Sequence, residues 1–307
     1  MRRRFETIGV YGAVYGPFGS LGVPTLGDTW WVDTNASNAA DRGGSSGQDP
    51  TKPLETIGQA ITNAAAGDLI CVAPGSYDEA ITITKSRLTL MGLGGRGGPA
   101  IAPSATDGIA ITIEGTAATA TTDVTLINIG GEGNGTGGGL HVKGNIQRVR
   151  AYGCKFEGGA FGAKLESTAA GAVSDTILDD DEFTWTTTGL DLVVSGAGDP
   201  VTNTYVRRPL FHDCTGDCVR AATVHTANLW VVDGVFANQQ DATEPTQYLD
   251  IAVANTTGFI ANNHFATTVF STAKFGITTG VIFANNHAEA ESTSANEASG
   301  TASGRPN

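Results

Sequence analysis

Two short segments carry the side chains best suited to chemistry. One is the acidic run at residues 179–182, and the other is "FHDCTGD" at residues 211–217, which contains His212 and Asp213. A pair of carboxyl groups cleaves a glycosidic bond when one acts as an acid and the other as a base or nucleophile. We therefore name Asp181, Asp213 and His212 as weak candidate catalytic residues, while ordinary loop polarity accounts for them equally well.

Metal and cofactor chemistry has less support. The four cysteines form no CxxC pair and have no His-rich surroundings, so we interpret them as small apolar residues. His264 and His287 each follow Ala-Asn-Asn, and two histidines so placed can share a divalent metal. Because a repeating scaffold produces the same recurrence, we predict neither a metal nor a cofactor.

The Ala-Asn-Asn-His repeat belongs to a longer series of evenly spaced residues. These anchor positions recur about every 26 residues, an interval typical of solenoids, and they are Ile129, Phe156, Phe183, Phe211, Phe236, Phe265 and Ala288. Five residues before each anchor stands a second apolar residue, and turn-forming residues separate the two. Each unit therefore predicts a strand, a corner and a second strand.

Units of this kind cannot bury their apolar side alone, so neighbouring units must stack. The pattern predicts an all-β protein, a single-stranded parallel β-helix of about eight coils. A β-sandwich is the alternative, although it does not predict an apolar column that recurs at this interval.

One helix is predicted ahead of the coils, in "DPTKPLETIGQAITNAAAGD" at residues 49–68. Thr51 or Lys52 would cap this helix, Pro53 would lie in its first turn, and Gly67 would end it. An apolar face would be formed by Leu54, Ile57, Ile61 and Ala65. We expect this N-terminal capping helix to cover the open end of the first coil, where strand edges would otherwise be unpaired.

Polar residues recur three positions before the anchors, at the predicted corners: Asp180, Arg208, Asp233, Asn262 and Asn285. Alternating Asp and Arg one coil apart would cancel charge, and stacked Asn side chains can bond along the rod. We interpret this column as a structural ladder, with a metal or catalytic site as the alternative.

A second column, six residues before the anchors, predicts an interaction surface. If the residues five before the anchors point inward, their neighbours must point outward, and these are Ile177, Tyr205, Trp230, Phe259 and Ile282. An exposed apolar stripe of this length marks an interface. Another copy of the chain is the simplest partner, while a covering loop is the alternative.

The segments "WWVDTNASNAADRGGSSGQDPTKPLETIGQAI", "AAGDLICVAPGSYDEAITI" and "RLTLMGLG" resemble the opening of pectate-lyase-like right-handed parallel β-helix proteins. The close match spans about residues 30 to 94. The resemblance implies a right-handed coil, and it extends to phage tailspikes and head fibres, whose rods form trimers. It also includes polysaccharide lyases and glycoside hydrolases, yet the hydrolase signatures "NTD" and "GHG" do not occur in this chain.

These features favour a structural virion surface protein of a bacteriophage over a polysaccharide lyase or glycoside hydrolase. We expect it to be a homotrimer with host polysaccharide as a candidate ligand. An enzyme is therefore the second hypothesis. Trp185 and Trp230 would serve it by stacking on sugar rings. A secreted adhesin is the third hypothesis, and it would need an export signal that the sequence does not clearly show.

The sequence predicts four consecutive segments. We expect an arm at residues 1–28 that attaches to a virion capsid or tail protein, and a first strand, loop and capping helix at 29–66. The β-helix would follow at 67–290 and a flexible tail at 291–307.

The net charge of −13 argues against nucleic acid and anionic membranes as partners. The expected location is the virion surface, with secretion as the alternative.

Overall fold

The computed structural model describes residues 27–41, 47–221, 226–237, 244–251, 256–267, 273–277 and 280–288. Within them the chain winds through three parallel sheets, which we call A, B and C, in about seven turns. Every strand pairs with its counterpart on the next coil in parallel register. The all-β parallel β-helix predicted from the repeat is therefore confirmed.

The strands of the described residues are distributed over these sheets as follows. Sheet A contains Thr29–Val32, Leu69–Val72, Thr89–Gly92, Thr121–Thr122, Thr125–Ile127, Ile146–Gln147, Arg150–Tyr152, Val173–Asp179, Val201–Arg207, Thr226–Val232, Gly258–Ala261 and Val281–Ala284. Sheet B contains Gly75–Tyr77, Pro99–Ile101, Gly130–Glu132, Lys155–Glu157, Glu182–Thr184, Leu210–His212, Val235–Ala237, His264–Phe265 and His287–Ala288. Sheet C contains Ile81–Ile83, Ile111–Gly115, Gly138–Gly144, Phe161–Ser167, Thr188–Val194, Asp217–Arg220, Gln247–Ile251 and Phe275–Ile277.

The phenylalanine anchors form a stack inside the coil. Ring centroids are 4.6 Å apart between Phe183 and Phe211, 4.8 Å between Phe211 and Phe236, and 4.5 Å between Phe236 and Phe265. All four rings are fully buried. Identical aromatic side chains on successive strands thus fill the interior, which is why the sequence repeats them.

One anchor was wrong. Gly131, rather than Ile129, is the register partner of Phe156 in sheet B. The same shift of two residues occurs in sheet A. The register partner of Ala151 is Leu126, whereas counting back from Ile129 predicted Val124. Gly131 occupies the anchor position of this coil. Because we looked for an apolar residue at the anchor position, we chose Ile129, a buried residue two positions earlier.

The helix is shorter than predicted and spans Ile57–Asn63. Thr56, rather than Thr51 or Lys52, caps it by accepting a hydrogen bond from the Gln59 amide. Leu54 lies outside the helix and forms a bridge with Val32. The helix contacts the strands at 29–32, 69–72 and 81–83, and its role as a cap on the open end of the coil stays a prediction.

The predicted terminal segments lie almost entirely outside the described residues. Residues 1–26 of the arm and the whole of the tail at 291–307 belong to this part. Thr29–Val32, which we assigned to a segment ahead of the β-helix, is the first strand of sheet A and pairs with Leu69–Val72. The coil therefore begins earlier than the predicted boundary at residue 67.

Candidate functional site

The outer face of sheet C carries a row of polar and charged side chains. Leu190, Val219 and Leu249 point into the coil and are fully buried, so the residues that follow them face outward. Strand register places one outward residue on each coil: Thr82, Thr112, His141, Lys164, Asp191, Arg220 and Asp250. Adjacent residues of this row are one strand spacing apart, about 4.8 Å.

Asp191 and Arg220 form the central ion pair of this row. The Nε atom of Arg220 donates to Oδ1 of Asp191 at 2.9 Å, and Nη2 donates to Oδ2 at 2.7 Å. This two-bond geometry fixes both side chains. The hydrogen bonds to Asp191 also raise the pKa of Arg220 above its ordinary value.

Two further carboxyl groups lie next to this pair. Burial raises the pKa of Asp217, and the charge of Asp250 raises it further. Burial also raises the pKa of Asp250, although the charge of Arg220 opposes that shift. The site thus combines carboxyls that hold protons more readily than usual with one carboxylate engaged by an arginine, an arrangement suited to acid and base roles.

A second network lies on the adjoining coils of the same face. Glu166 accepts hydrogen bonds from Lys164 at 3.0 Å and from Ser195, and its Oε2 atom lies 2.7 Å from Nε2 of His141. Burial raises the pKa of Glu166, but these bonds outweigh it and lower the pKa to about 2. The pKa of His141 is lowered mainly by burial. Glu166 is therefore a fixed anion rather than a base.

The histidine segment forms a separate cluster on sheet B. Nδ1 of His212 lies 2.6 Å from Oδ2 of Asp213, and Nε2 lies 3.2 Å from Oε1 of Glu182. The Thr184 hydroxyl is also 3.1 Å from Nδ1. Burial lowers the pKa of His212, but its bonds to Glu182 and Asp213 outweigh that effect and the pKa is raised.

The structure thus brings together two of the three predicted catalytic residues and separates the third. Asp181 lies inside the coil at 1% exposure, where its Oδ1 atom accepts the Cys154 amide at 2.7 Å. Burial raises the pKa of Asp181 well above its ordinary value. Asp213 is buried to the same degree, at 2% exposure, so neither carboxyl group lies open to a polymer outside the coil, and a catalytic role for these residues stays a prediction.

The predicted ladder residues occupy the corner between sheets A and B. All five are exposed and have positive φ values between 49° and 61°, and they are Asp180, Arg208, Asp233, Asn262 and Asn285. Asn262 donates to Asp233 at 3.1 Å. Arg208 instead contacts Asp179, and Asp180 contacts Arg96, so these two do not pair with each other as the alternation suggested.

A buried ladder lies one residue further along the same corner. Asn263 donates to the Val231 carbonyl at 2.9 Å and bonds to Asn286 at 3.0 Å. Asn286 in turn donates to the Ile260 carbonyl at 3.0 Å. The second asparagine of each Ala-Asn-Asn-His motif therefore links coils from within, and this explains why the motif recurs.

One row of apolar residues lies on the outer face of sheet A, beside charged residues such as Arg207. Register aligns the five residues of the stripe on successive coils, namely Ile177, Tyr205, Trp230, Phe259 and Ile282. The exposed fraction is 40% for Trp230 and 58% for Ile282. Trp230 packs against Tyr205 and Phe259 with centroids 5.9 and 5.4 Å apart. Whether the stripe binds a partner stays a prediction.

On the earlier coils the same face is apolar but buried. Its cluster consists of Leu69, Cys71, Met91, Ile127 and Tyr152, with Trp31 and Ile177 packed against it. Burial raises the pKa of Cys71 to about 12, so this thiol is an inert apolar group. Most of this cluster lies in a neighbouring row, because the row of the stripe continues through Arg150, Thr125 and Thr89 on the preceding coils.

Neither a metal-binding cluster nor a membrane-spanning helix is found among the residues that the structure describes. No group of three or more His, Cys, Asp and Glu side chains there is arranged to hold a metal ion. No helix there is long and apolar enough to cross a membrane.

Comparison with known proteins supports the fold. The family described as "Protein of unknown function (DUF1565)" matches residues 40–136, about a third of the chain. No curated protein matches the sequence significantly.

Solved structures give broader matches. Pectin methylesterase from Yersinia enterocolitica has a TM-score of 0.54 at 12% identity and covers 78% of this chain and 92% of its own. Pectate lyase Pel9A has a TM-score of 0.54 at 13% identity, with 91% and 83% covered. ORF18 of Geobacillus virus E2 has a TM-score of 0.43 at 13% identity, with 91% and 63% covered. At these identities the likeness shows the parallel β-helix fold alone.

Proposed function

We propose that the protein is a structural component of a bacteriophage particle surface, a head-fibre-like, decoration or tailspike-like rod that associates as a homotrimer and contacts host glycan. The observation that carries the proposal is the exposed stripe on sheet A, where Trp230 and Ile282 present apolar surface to water. A contiguous apolar surface of this kind is costly unless a partner covers it. Residues 30–94 resemble the opening of pectate-lyase-like β-helix proteins, a superfamily that includes phage tailspikes and fibres, and this is compatible with the particle setting.

The stripe suits side-by-side association of rods. Its residues lie on consecutive coils and face one direction. Strands on a stacked coil hold the side chains in place, so little conformational entropy is lost when two such stripes meet. Residues 1–28 remain the proposed attachment to a capsid or tail protein.

The decisive experiment is the absolute mass of the purified protein by light scattering after size exclusion. We expect a trimer of the 31.4 kDa chain, and we expect it to persist when residues 1–28 are removed. Trp230→Asp should give monomers with an unchanged circular dichroism spectrum. Val235→Asp is the matched control, because Val235 is 41% exposed but lies on sheet B. A trimer that tolerates Trp230→Asp, or a wild-type monomer, would refute association through the stripe.

The particle location needs its own measurement. Mass spectrometry of gradient-purified virus particles from cells that carry the gene should detect this chain at a constant ratio to the major capsid protein. Its loss during purification would contradict a virion role.

A second candidate function is a polysaccharide-modifying enzyme, favoured by the carboxyl groups around Arg220. Asp217 or Asp250 would supply the proton, and Asp191 would act as the carboxylate held in position. The solved neighbours named above include a pectin methylesterase and a pectate lyase, so pectin is the first substrate to try.

The enzyme hypothesis is tested by incubating the protein with pectin and measuring methanol, unsaturated products and reducing ends. Activity should fall by about 10²-fold or more in Asp250→Asn and Asp191→Asn. Asp233→Asn, an exposed carboxylate on the opposite corner, should leave it unchanged. The absence of all three products with the wild-type protein would remove pectin-directed chemistry.

A further inference from the structure

Trp185 combines two features that rarely occur together. Its side chain is 44% exposed, and its backbone has a φ of 54°, in the left-handed region. A bulky residue in this conformation is strained, since its Cβ approaches the neighbouring carbonyl oxygen. Such strain persists where surrounding structure enforces it, and it is concentrated at binding sites.

The neighbouring coils show what this position normally holds. Glu157, Thr184 and His212 are register partners in sheet B, so Gly158, Trp185 and Asp213 follow them at equivalent places. Gly158 and Asp213 also have positive φ, at 72° and 54°. Glycine adopts this conformation freely and aspartate tolerates it. The tryptophan departs from this pattern and leaves 44% of its surface exposed to water.

The backbone on both sides of Trp185 is held firmly. Thr184 and Thr186 are buried, at 0% and 2% exposure. The Thr184 carbonyl accepts from the Gly158 amide at 3.3 Å, and the Thr186 carbonyl accepts from the Thr215 amide at 3.0 Å. The backbone at Trp185 is therefore held in place, and the neighbour of Trp185 on the preceding coil is Gly158, which has no side chain to cover the indole.

Positively and negatively charged side chains lie within one or two coils of the Trp185 indole. Lys155 bonds to Glu157 at 2.7 Å, and Glu182 is contacted by His212 and Arg96. Lys155 and Arg96 supply positive charge and Glu157 and Glu182 supply negative charge, so the set has no excess of positive charge. A neutral ligand rich in hydroxyl groups matches this set better than a polyanion, because alternating donors and acceptors can bind hydroxyls in pairs.

We propose that Trp185 is the stacking platform of a binding site for a neutral pyranose ring on sheet B, with Glu157 and Lys155 bonding to the hydroxyls of the sugar. The proposal rests on the glycan contact included in the proposed function, but it is independent of association through sheet A. A pyranose has a flat apolar face and a rim of hydroxyl groups. The indole can stack on the face while the charged side chains beside it bond to the hydroxyls.

The test is isothermal titration of the full-length protein with maltohexaose, cellohexaose and chitohexaose, and with hexagalacturonate as the acidic comparator. At least one neutral oligosaccharide should bind, and Trp185→Ala should weaken that binding about tenfold or more. Leu93→Ala is the control, because Leu93 is exposed to a similar extent, at 47%, and should keep wild-type affinity. No binding of the three neutral oligosaccharides, preference for hexagalacturonate, or equal binding by Trp185→Ala overturns the proposal.

Trp185→Gly separates a binding role from a structural one. Glycine removes the backbone strain, so the Tm of this variant should equal or exceed that of the wild type while sugar binding is lost. A large fall in Tm would assign Trp185 to packing and would overturn the proposal. The mass measurement on the same variant distinguishes this outcome from a failure of the trimer.

Discussion

Sheets A and C each present an outward row of side chains on the same coils, and the two rows have opposite chemistry. On sheet C the charged groups satisfy one another within the chain, as Arg220 does with Asp191 and Lys164 does with Glu166. On the later coils of sheet A, Trp230 and Ile282 expose apolar surface that contacts between neighbours only partly cover. A β-helix can therefore carry different chemistry on each outer face, because the stacked interior is common to all of its coils.

The difference indicates what each face can be used for. Ion pairs already formed within sheet C contribute to the stability of the monomer and leave little unsatisfied charge for a protein partner. Apolar side chains on sheet A contribute little to the monomer but gain free energy when a partner removes them from water. Substitutions on sheet C should therefore act on folding, and substitutions on sheet A should act on association.

The largest effect on folding is expected from Arg220→Leu. This change leaves Asp191, which is 5% exposed, without its cationic partner, and it should lower the free energy of unfolding by about 2–3 kcal/mol. Urea unfolding at pH 7 measures the loss. The double variant Arg220→Leu with Asp191→Leu should recover much of it, because the orphaned charge is gone. A double variant no more stable than Arg220→Leu would show that packing, rather than charge, accounts for the loss.

A smaller effect is expected from Glu166→Gln, at about 1–2 kcal/mol near neutral pH. The folded pKa of Glu166, about 2, lies below its unfolded value of about 4.3. Its contribution is therefore present above pH 4.3 and lost as the pH falls toward 2. Wild type and variant should differ in Tm at pH 7 and converge near pH 2. A constant difference across this range would mean that the charge of Glu166 is not responsible.

His212 on sheet B should give a pH dependence of opposite sign. Its pKa is raised in the folded protein by Glu182 and Asp213, which outweigh burial. The stabilisation is therefore complete below the unfolded pKa of about 6.5 and is lost as the pH rises through the folded value. Tm measured from pH 6 to pH 9 should fall in the wild type more than in His212→Gln. Parallel curves would contradict this assignment.

The contrast between the two sheets also explains which residues could be predicted from the sequence. The corner between sheets A and B has constant length, since the inward residues Leu178, Val206 and Val231 each precede a phenylalanine anchor by five residues. Counting back from the anchors therefore located the sheet A stripe correctly. The same constant spacing allowed the parallel β-helix to be predicted from the sequence.

The sheet C row escaped prediction because the turn that precedes it varies in length. Asp191 follows its anchor Phe183 by eight residues, whereas Asp250 follows Phe236 by fourteen. A fixed count forward from the anchors cannot align such positions. The helix start was missed for a different reason, because Pro53 suggested a first turn while Thr56 and Gln59 formed the capping pair.

The smallest effect on monomer stability is expected from Ile282→Asp, within about 0.5 kcal/mol, because this side chain is 58% exposed. Association should nevertheless be lost, since a carboxylate in the stripe would be buried without a partner. The wild-type Tm should then rise with protein concentration, as it does whenever the folded state self-associates, while the variant Tm should not. The two values should meet at high dilution. A wild-type Tm independent of concentration would show that sheet A, despite its exposed apolar row, contributes no more to assembly than sheet C.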